Sequence, residues 1–221
     1  MGEIYSKIKK LGYSDWKKVF SKHLAWSREN KRTIGKPVWR EEDMTLNVIG
    51  IRCNSEADFN FGKYNDYLIL VLNKTSDEFT KVIMEVTVDP CVNKDGIAHL
   101  RQGVWNSYVV RPHRWAYRNF PNIGRQQRWA LCQDKDLVEI VRTDGNRNVV
   151  KSVRGFFGIN IHDTGGYRDS SLGCTVIKSD ESYEDLYLPC IYDIDNDDYI
   201  PSNHTNITYC LINEQQFGKY L

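Results

Sequence analysis

The chain has 221 residues, 41% of them hydrophobic and 27% charged, with a net charge of +1. That length supports one large domain with a core that needs no disulfide staples, and the composition is that of an ordinary globular protein. The near-neutral balance gives no electrostatic reason to expect nucleic acid or an anionic membrane as a partner.

Met1-Gly2-Glu3-Ile4-Tyr5 lacks the apolar core of a signal peptide, and no later stretch suits a membrane span, so the chain is expected to be cytoplasmic as synthesised. A short helix is predicted from Ile4 to Leu11, stopped by Gly12. Ser14 is a good N-cap for a second, in which Trp16, Val19, Phe20, Leu24 and Ala25-Trp26 form an apolar stripe. Such a stripe faces a core, or else docks on a partner or the cell wall. Glu29 to Lys36 is polar, with Gly35 and Pro37 as breakers, and reads as a linker. This helical N-terminal segment, residues 1–45, precedes a β-rich domain, residues 46–221.

From Leu46 the pattern changes. Val48 to Arg52, Tyr67 to Leu72 and Phe79 to Val88 are β-prone runs, the last ending at Asp89-Pro90. Leu137 to Arg142 and Asn148 to Val153 flank Thr143-Asp144-Gly145-Asn146, a hairpin signal, and Ile207 to Ile212 suits a closing strand. The acidic stretch from Tyr192 to Tyr199 reads as a solvated loop, because it lacks the glycine and terminal glutamate of a calcium loop. Cys53, Cys91, Cys132, Cys174, Cys190 and Cys210 are scattered singly without zinc spacing, so no structural metal is expected. Asn73-Lys74-Thr75 and Asn206-Ile207-Thr208 match glycosylation acceptors, discounted without a secretory signal.

The chemistry is expected between two of these features. The run Gly155-Phe156-Phe157-Gly158-Ile159-Asn160-Ile161 leads into His162, and Thr175-Val176-Ile177 follows Cys174. Both runs read as buried strands, so an imidazole and a thiol each stand at a strand end beside a Gly- and Ser-rich loop. An imidazole in reach can make the thiolate, the form that attacks carbonyl carbon. Lowering a thiol pKa by two units takes about 2.7 kcal/mol of preference for the thiolate, which a nearby imidazolium and converging N–H groups can supply. The N–H groups of Gly173 and Cys174 are candidates for an oxyanion hole. Tyr167 and Arg168 could bind a substrate carboxylate or form a solvated loop tip. His113, in Val109-Val110-Arg111-Pro112-His113-Arg114-Trp115, could lie over the cleft or belong to an exposed aromatic-basic loop. The plain alternative makes His162 and Cys174 core residues of neighbouring strands. His23, His99 and His204 have no partner that the sequence names.

An apolar strand ending in histidine, a Gly-containing loop, then Ser171-Leu172-Gly173-Cys174 resembles the active-site signature of L,D-transpeptidases of the YkuD type. Asn47 to Arg52 and Thr87-Val88-Asp89-Pro90 look similar to a divergent branch of that family found in bacteriophage and gut-bacterial proteins, so the resemblance extends from about Asn47 to the C-terminus. The resemblance implies a β-sandwich or barrel-like fold. It makes Cys174 a nucleophile that forms a thioester with a peptidoglycan stem peptide and His162 its base. The Asp163 carbonyl would orient the imidazole, Gly173 would offer an oxyanion N–H, and Ser171 would be a small residue of the substrate site. The chain departs from the family in having Leu172 where histidine is common before Gly-Cys, and apolar Val176 and Ile177 after the cysteine.

Two functions are therefore expected. One is cysteine-dependent acyl transfer or hydrolysis on peptidoglycan stem peptides, with Cys174, His162, Asp163 and Gly173 in the chemistry and Ser171, Arg168, Tyr167 and His113 toward substrate, and with no cofactor. The other is a non-catalytic structural or cell-wall-binding protein, such as a bacteriophage virion component touching neighbouring subunits or further copies of itself. Delivery would then come with a virion or by lysis.

Overall fold

Runs that stay apolar at consecutive positions mark strands covered on both faces. In the computed structural model, which describes residues 2–53, 64–75, 78–113, 128–163 and 171–221, strands β2 (Leu46–Arg52) and β3 (Asp66–Asn73) are buried at every position. Strand alternation divides their side chains. Val48, Leu68, Leu70 and Leu72 join one core, and Ile49, Ile51, Ile69 and Val71 join another.

Helices α1 (Gly2–Lys10) and α2 (Tyr13–Glu29) cover the second core with Ile8, Trp16, Val19 and Phe20. Burying a side chain the size of Phe20 contributes about 2 kcal/mol, so the N-terminal segment shares the barrel's core. Of the stripe, Trp16, Val19 and Phe20 lie in that core and Leu24 packs against it, whereas Ala25 is exposed. The start of α2 differs from expectation. Gly12 is its N-cap, and Asp15 reaches back to accept the Gly12 N–H at 2.9 Å, which leaves Ser14 inside the first turn.

The remaining strands are β1 (Thr33–Ile34), β4 (Phe79–Thr87), β5 (Ile97–Leu100), β6 (Gly103–Pro112), β7 (Trp129–Gln133), β8 (Val138–Thr143), β9 (Val149–Gly155), β10 (Ile161–Asp163), β11 (Thr175–Ile177), β12 (Tyr192–Asp193), β13 (Asp198–Tyr199) and β14 (Ile207–Asn213). Among the described residues the main sheet runs β1-β6-β14-β2-β3-β4-β11-β10-β7, and a β6–β7 pairing closes it into a barrel with β1 outside the ring. Strands β5, β8 and β9 form a smaller sheet whose Ala98, Leu100, Val138 and Ile140 join the first core. The protein is mainly β with few helices.

Three stretches differ from the sequence reading. The expected linker contains β1, which pairs parallel to β6 with Thr33 opposite Val104. The acidic stretch is a hairpin, with Tyr192 opposite Tyr199 and the Asp193 carboxylate accepting N–H groups from Asp195 at 3.0 Å and Asn196 at 3.2 Å. The expected aromatic-basic loop is strand as far as Pro112, and the His113 N–H continues the pairing to the Arg128 carbonyl at 2.8 Å. Strand β6 hides in the sequence because Asn106 and Ser107 are polar yet buried. Ser107 donates to the Leu137 carbonyl at 2.7 Å, and Asn106 accepts from Thr208 at 3.1 Å.

Candidate active site

His162 and Cys174 come together through a parallel pairing. In β10 and β11, His162 lies opposite Val176 and Ile161 opposite Thr175. Cys174, which directly precedes β11, is thus two residues before the position facing His162. Two residues of strand rise amount to about 7 Å, so contact between imidazole and thiol depends on side-chain rotamers.

The imidazole is held firmly. Its Nδ1–H donates to the Asp163 carbonyl, since a carbonyl only accepts, and this leaves Nε2 as the unprotonated, accepting nitrogen. Among the described residues Nε2 has no hydrogen-bond partner. Burial holds His162 down to about 4, so it is neutral at rest. The Asp163 carboxylate, itself buried, forms an ion pair with Arg128 at 2.7 Å, and the Arg128 guanidinium lies over the Tyr183 ring at 5.1 Å. Tyr187 fixes the neighbouring backbone: its hydroxyl donates to the Ile161 carbonyl at 2.8 Å and accepts the Leu131 N–H at 2.9 Å. His113 stacks on His162 with ring centroids 4.2 Å apart, and burial takes His113 down to about 3.

The thiol has other partners. Cys174 is half-buried; its S–H donates to the Gly158 carbonyl at 3.3 Å, and the Asn160 N–H donates to the sulfur at 3.4 Å. Among the described residues no hydrogen bond joins it to His162. Burial pushes the thiol up to about 11, the same as the buried Cys190. The expected acidification is therefore absent at rest: the imidazole is neutral, and among the described residues one N–H rather than several converges on the sulfur. Gly158 and Asn160 act through backbone atoms, for which residue identity gives no signal.

Two further expected site residues lie in the turn before the cysteine. Ser171 is 2% exposed. Its hydroxyl accepts the Gly173 N–H at 3.1 Å and donates to the Cys174 carbonyl at 2.9 Å, while its own carbonyl accepts the Cys91 N–H at 3.0 Å. The Gly173 N–H is thereby engaged, and the Cys174 N–H, unpartnered among the described residues, is the better candidate for an oxyanion. Glycine is required at 173: φ is 143°, and a Cβ would meet the Ala98 carbonyl and the Ile159 side chain, each at 2.8 Å. Tyr167 and Arg168 lie outside the described residues. Among the described residues, no group of three or more His, Cys, Asp or Glu gathers to hold a metal ion, and no helix is long and apolar enough to cross a membrane.

In comparisons with known proteins, no family model, no curated protein and no solved structure matches the chain.

Proposed function

We propose that the protein is a cysteine enzyme of the L,D-transpeptidase type, acting on peptidoglycan stem peptides through a thioester at Cys174. The observation that carries this reading is the His162 tautomer: a buried, neutral imidazole with Nδ1–H on a backbone carbonyl and Nε2 left to accept, one diagonal away from a half-buried thiol. Both groups are neutral at rest, so His162 acts as a general base during attack rather than holding a preformed ion pair. In the first step the sulfur bonds to the acyl carbon, the thiol proton passes to Nε2, and the imidazolium gives it to the departing amine. In the second step an amine or water attacks the thioester and releases the thiol. The Cys174 N–H, without a partner among the described residues, is the donor proposed for the oxyanion.

The partners of the sulfur favour a second reading. A thiol held by the Gly158 carbonyl and the Asn160 N–H, with its pKa pushed up, suits a non-catalytic, cell-wall-binding or virion protein that keeps the fold without the chemistry. Incubation of the full chain with defined muropeptides, with products weighed by mass spectrometry, separates the two. The enzyme yields cleaved or cross-linked products and a Cys174 adduct, all lost in Cys174→Ala. Muropeptides unchanged in mass overturn the enzymatic reading.

A further inference from the structure

Gln133 ends strand β7, far in sequence from the cysteine, and is 1% exposed. Its Oε1 accepts three backbone N–H groups in a row: Phe157 at 2.9 Å, Gly158 at 3.0 Å and Ile159 at 3.3 Å. Its Nε2 donates to the carbonyls of Asp136 and Gly155, both at 3.0 Å, and its backbone N–H donates to the Asn160 side chain at 2.9 Å. Every polar group of the side chain thus meets the segment from Gly155 to Ile159 or the turn after β7. Phe157, Gly158 and Ile159 lie between β9 and β10, outside any strand that would satisfy their N–H groups.

The next links along the same backbone are the two groups that hold the sulfur, the Gly158 carbonyl and the Asn160 N–H. We propose that Gln133 is a positioning residue for Cys174: its buried amide fixes the backbone that holds the thiol and supplies one N–H to the thiolate. This rests on Cys174 being the reactive cysteine, as proposed above. The two contacts on the sulfur act in opposite senses. The Gly158 carbonyl keeps the proton on the resting thiol, and the Asn160 N–H favours the thiolate. The second dominates, because a hydrogen bond to an ionised partner is about twice as strong as one between neutral groups. Loss of the clamp therefore makes the thiol harder to ionise.

The test uses the full chain, iodoacetamide and mass spectrometry of the peptide that carries each cysteine. The alkylation rate of Cys174 is followed from neutral pH upward through its range, with Cys53 as a distant reference and fully buried Cys210 as a folding monitor. Gln133→Met keeps the length and apolar volume of the side chain but removes its hydrogen bonds. Its Cys174 midpoint is expected to rise by about one pH unit, roughly tenfold in thiolate population below the midpoint, with Cys53 unmoved. Gln133→Asn, one methylene shorter, is expected to give a smaller rise. A purely structural amide would lower the melting temperature without moving the midpoint, and an unmoved midpoint in folded variants overturns the proposal. Where Gln133→Met exposes Cys210 to alkylation, Gln133→Asn decides alone by the same criterion. A raised midpoint in a chain that leaves muropeptides unchanged would sink the enzymatic reading and leave the positioning role standing.

Discussion

Two buried imidazoles, His23 and His162, serve the same barrel in different ways. His23, on α2, stands between the helices and β14: its Nε2–H donates to the Leu211 carbonyl at 3.0 Å, and its Nδ1 accepts from the Tyr220 hydroxyl at 3.0 Å. His162 makes one such bond, to the Asp163 carbonyl, and leaves Nε2 unengaged among the described residues. Burial lowers both, His23 to about 3 and His162 to about 4. The lowered pKa therefore does not separate the two histidines. What separates them is the second nitrogen, hydrogen-bonded in His23 and without a partner among the described residues in His162, with Cys174 just before the neighbouring strand.

The comparison breaks or holds on paired substitutions. His162→Ala should lower turnover of muropeptides by about 10²- to 10⁴-fold, the usual contribution of a positioned general base, in addition to the stability lost by truncating a buried ring. His23→Leu should cost stability and leave turnover of the folded protein unchanged. It leaves the Tyr220 hydroxyl and the Leu211 carbonyl without their partner in a closed interface and should cost about 2–3 kcal/mol of stability. Thiol labelling of Cys174 should be unaffected by it. Equal losses of turnover in the two variants would mean that the free nitrogen carries no chemistry.

These two histidines also mark how far the sequence could be read. The strand run before His162 and the Gly-Cys turn are local patterns, and the two strands they predict, β10 and β11, are present and paired. His23 had no nameable partner because Leu211 and Tyr220 come from the other end of the chain, and no local spacing encodes a contact across 188 and 197 residues. The barrel was legible as β-rich from the apolar runs of β2 and β3 and the β-prone run of β4. Its closure was not, because β6 and β7 complete the ring and β6 carries buried polar residues whose partners are distant. The hydrogen bonds of Ser171 and Gly173 were not legible either, because the Ser171 hydroxyl is engaged within the turn by backbone groups, for which residue identity gives no signal.

Proton binding gives a third way to sharpen the contrast. His23, His113 and His162 have folded-state values below the ordinary 6.5, and His99 is lowered as well. The unfolded chain therefore binds more protons below 6.5, and stability present above that pH is lost as pH falls toward about 4. Each histidine adds up to about 1.4 kcal/mol per pH unit across its window. Asp66 acts in the opposite sense, since burial and the charge of Asp89 push it up and let the folded state keep that proton longer. The histidines outnumber it, so the urea midpoint should fall on acidification, and the fall should be shallower in His23→Leu. A midpoint flat from neutral pH down to about 5 would contradict the burial assigned to these imidazoles. Gly173→Ala should cost about 1–2 kcal/mol from its backbone conformation, and more where the Ala98 carbonyl cannot give way, with the Cys174 turn displaced.

The smallest expected effect concerns the stacked ring. His113 covers one face of His162, and His162 owes its lowered pKa to exclusion of water. In His113→Ala that face is hydrated, the imidazolium becomes less costly, and the His162 pKa moves from about 4 toward 6.5. A base must be unprotonated to act, so the acidic limb of the turnover profile should move to higher pH, by about half a unit for loss of one covering face. Turnover on the alkaline side should change little, because the Nδ1 bond to Asp163 and the register with β11 remain. Should the acidic limb stay fixed while turnover falls at every pH, His113 would be touching substrate directly, and the cleft would extend over the stacked pair rather than end at His162.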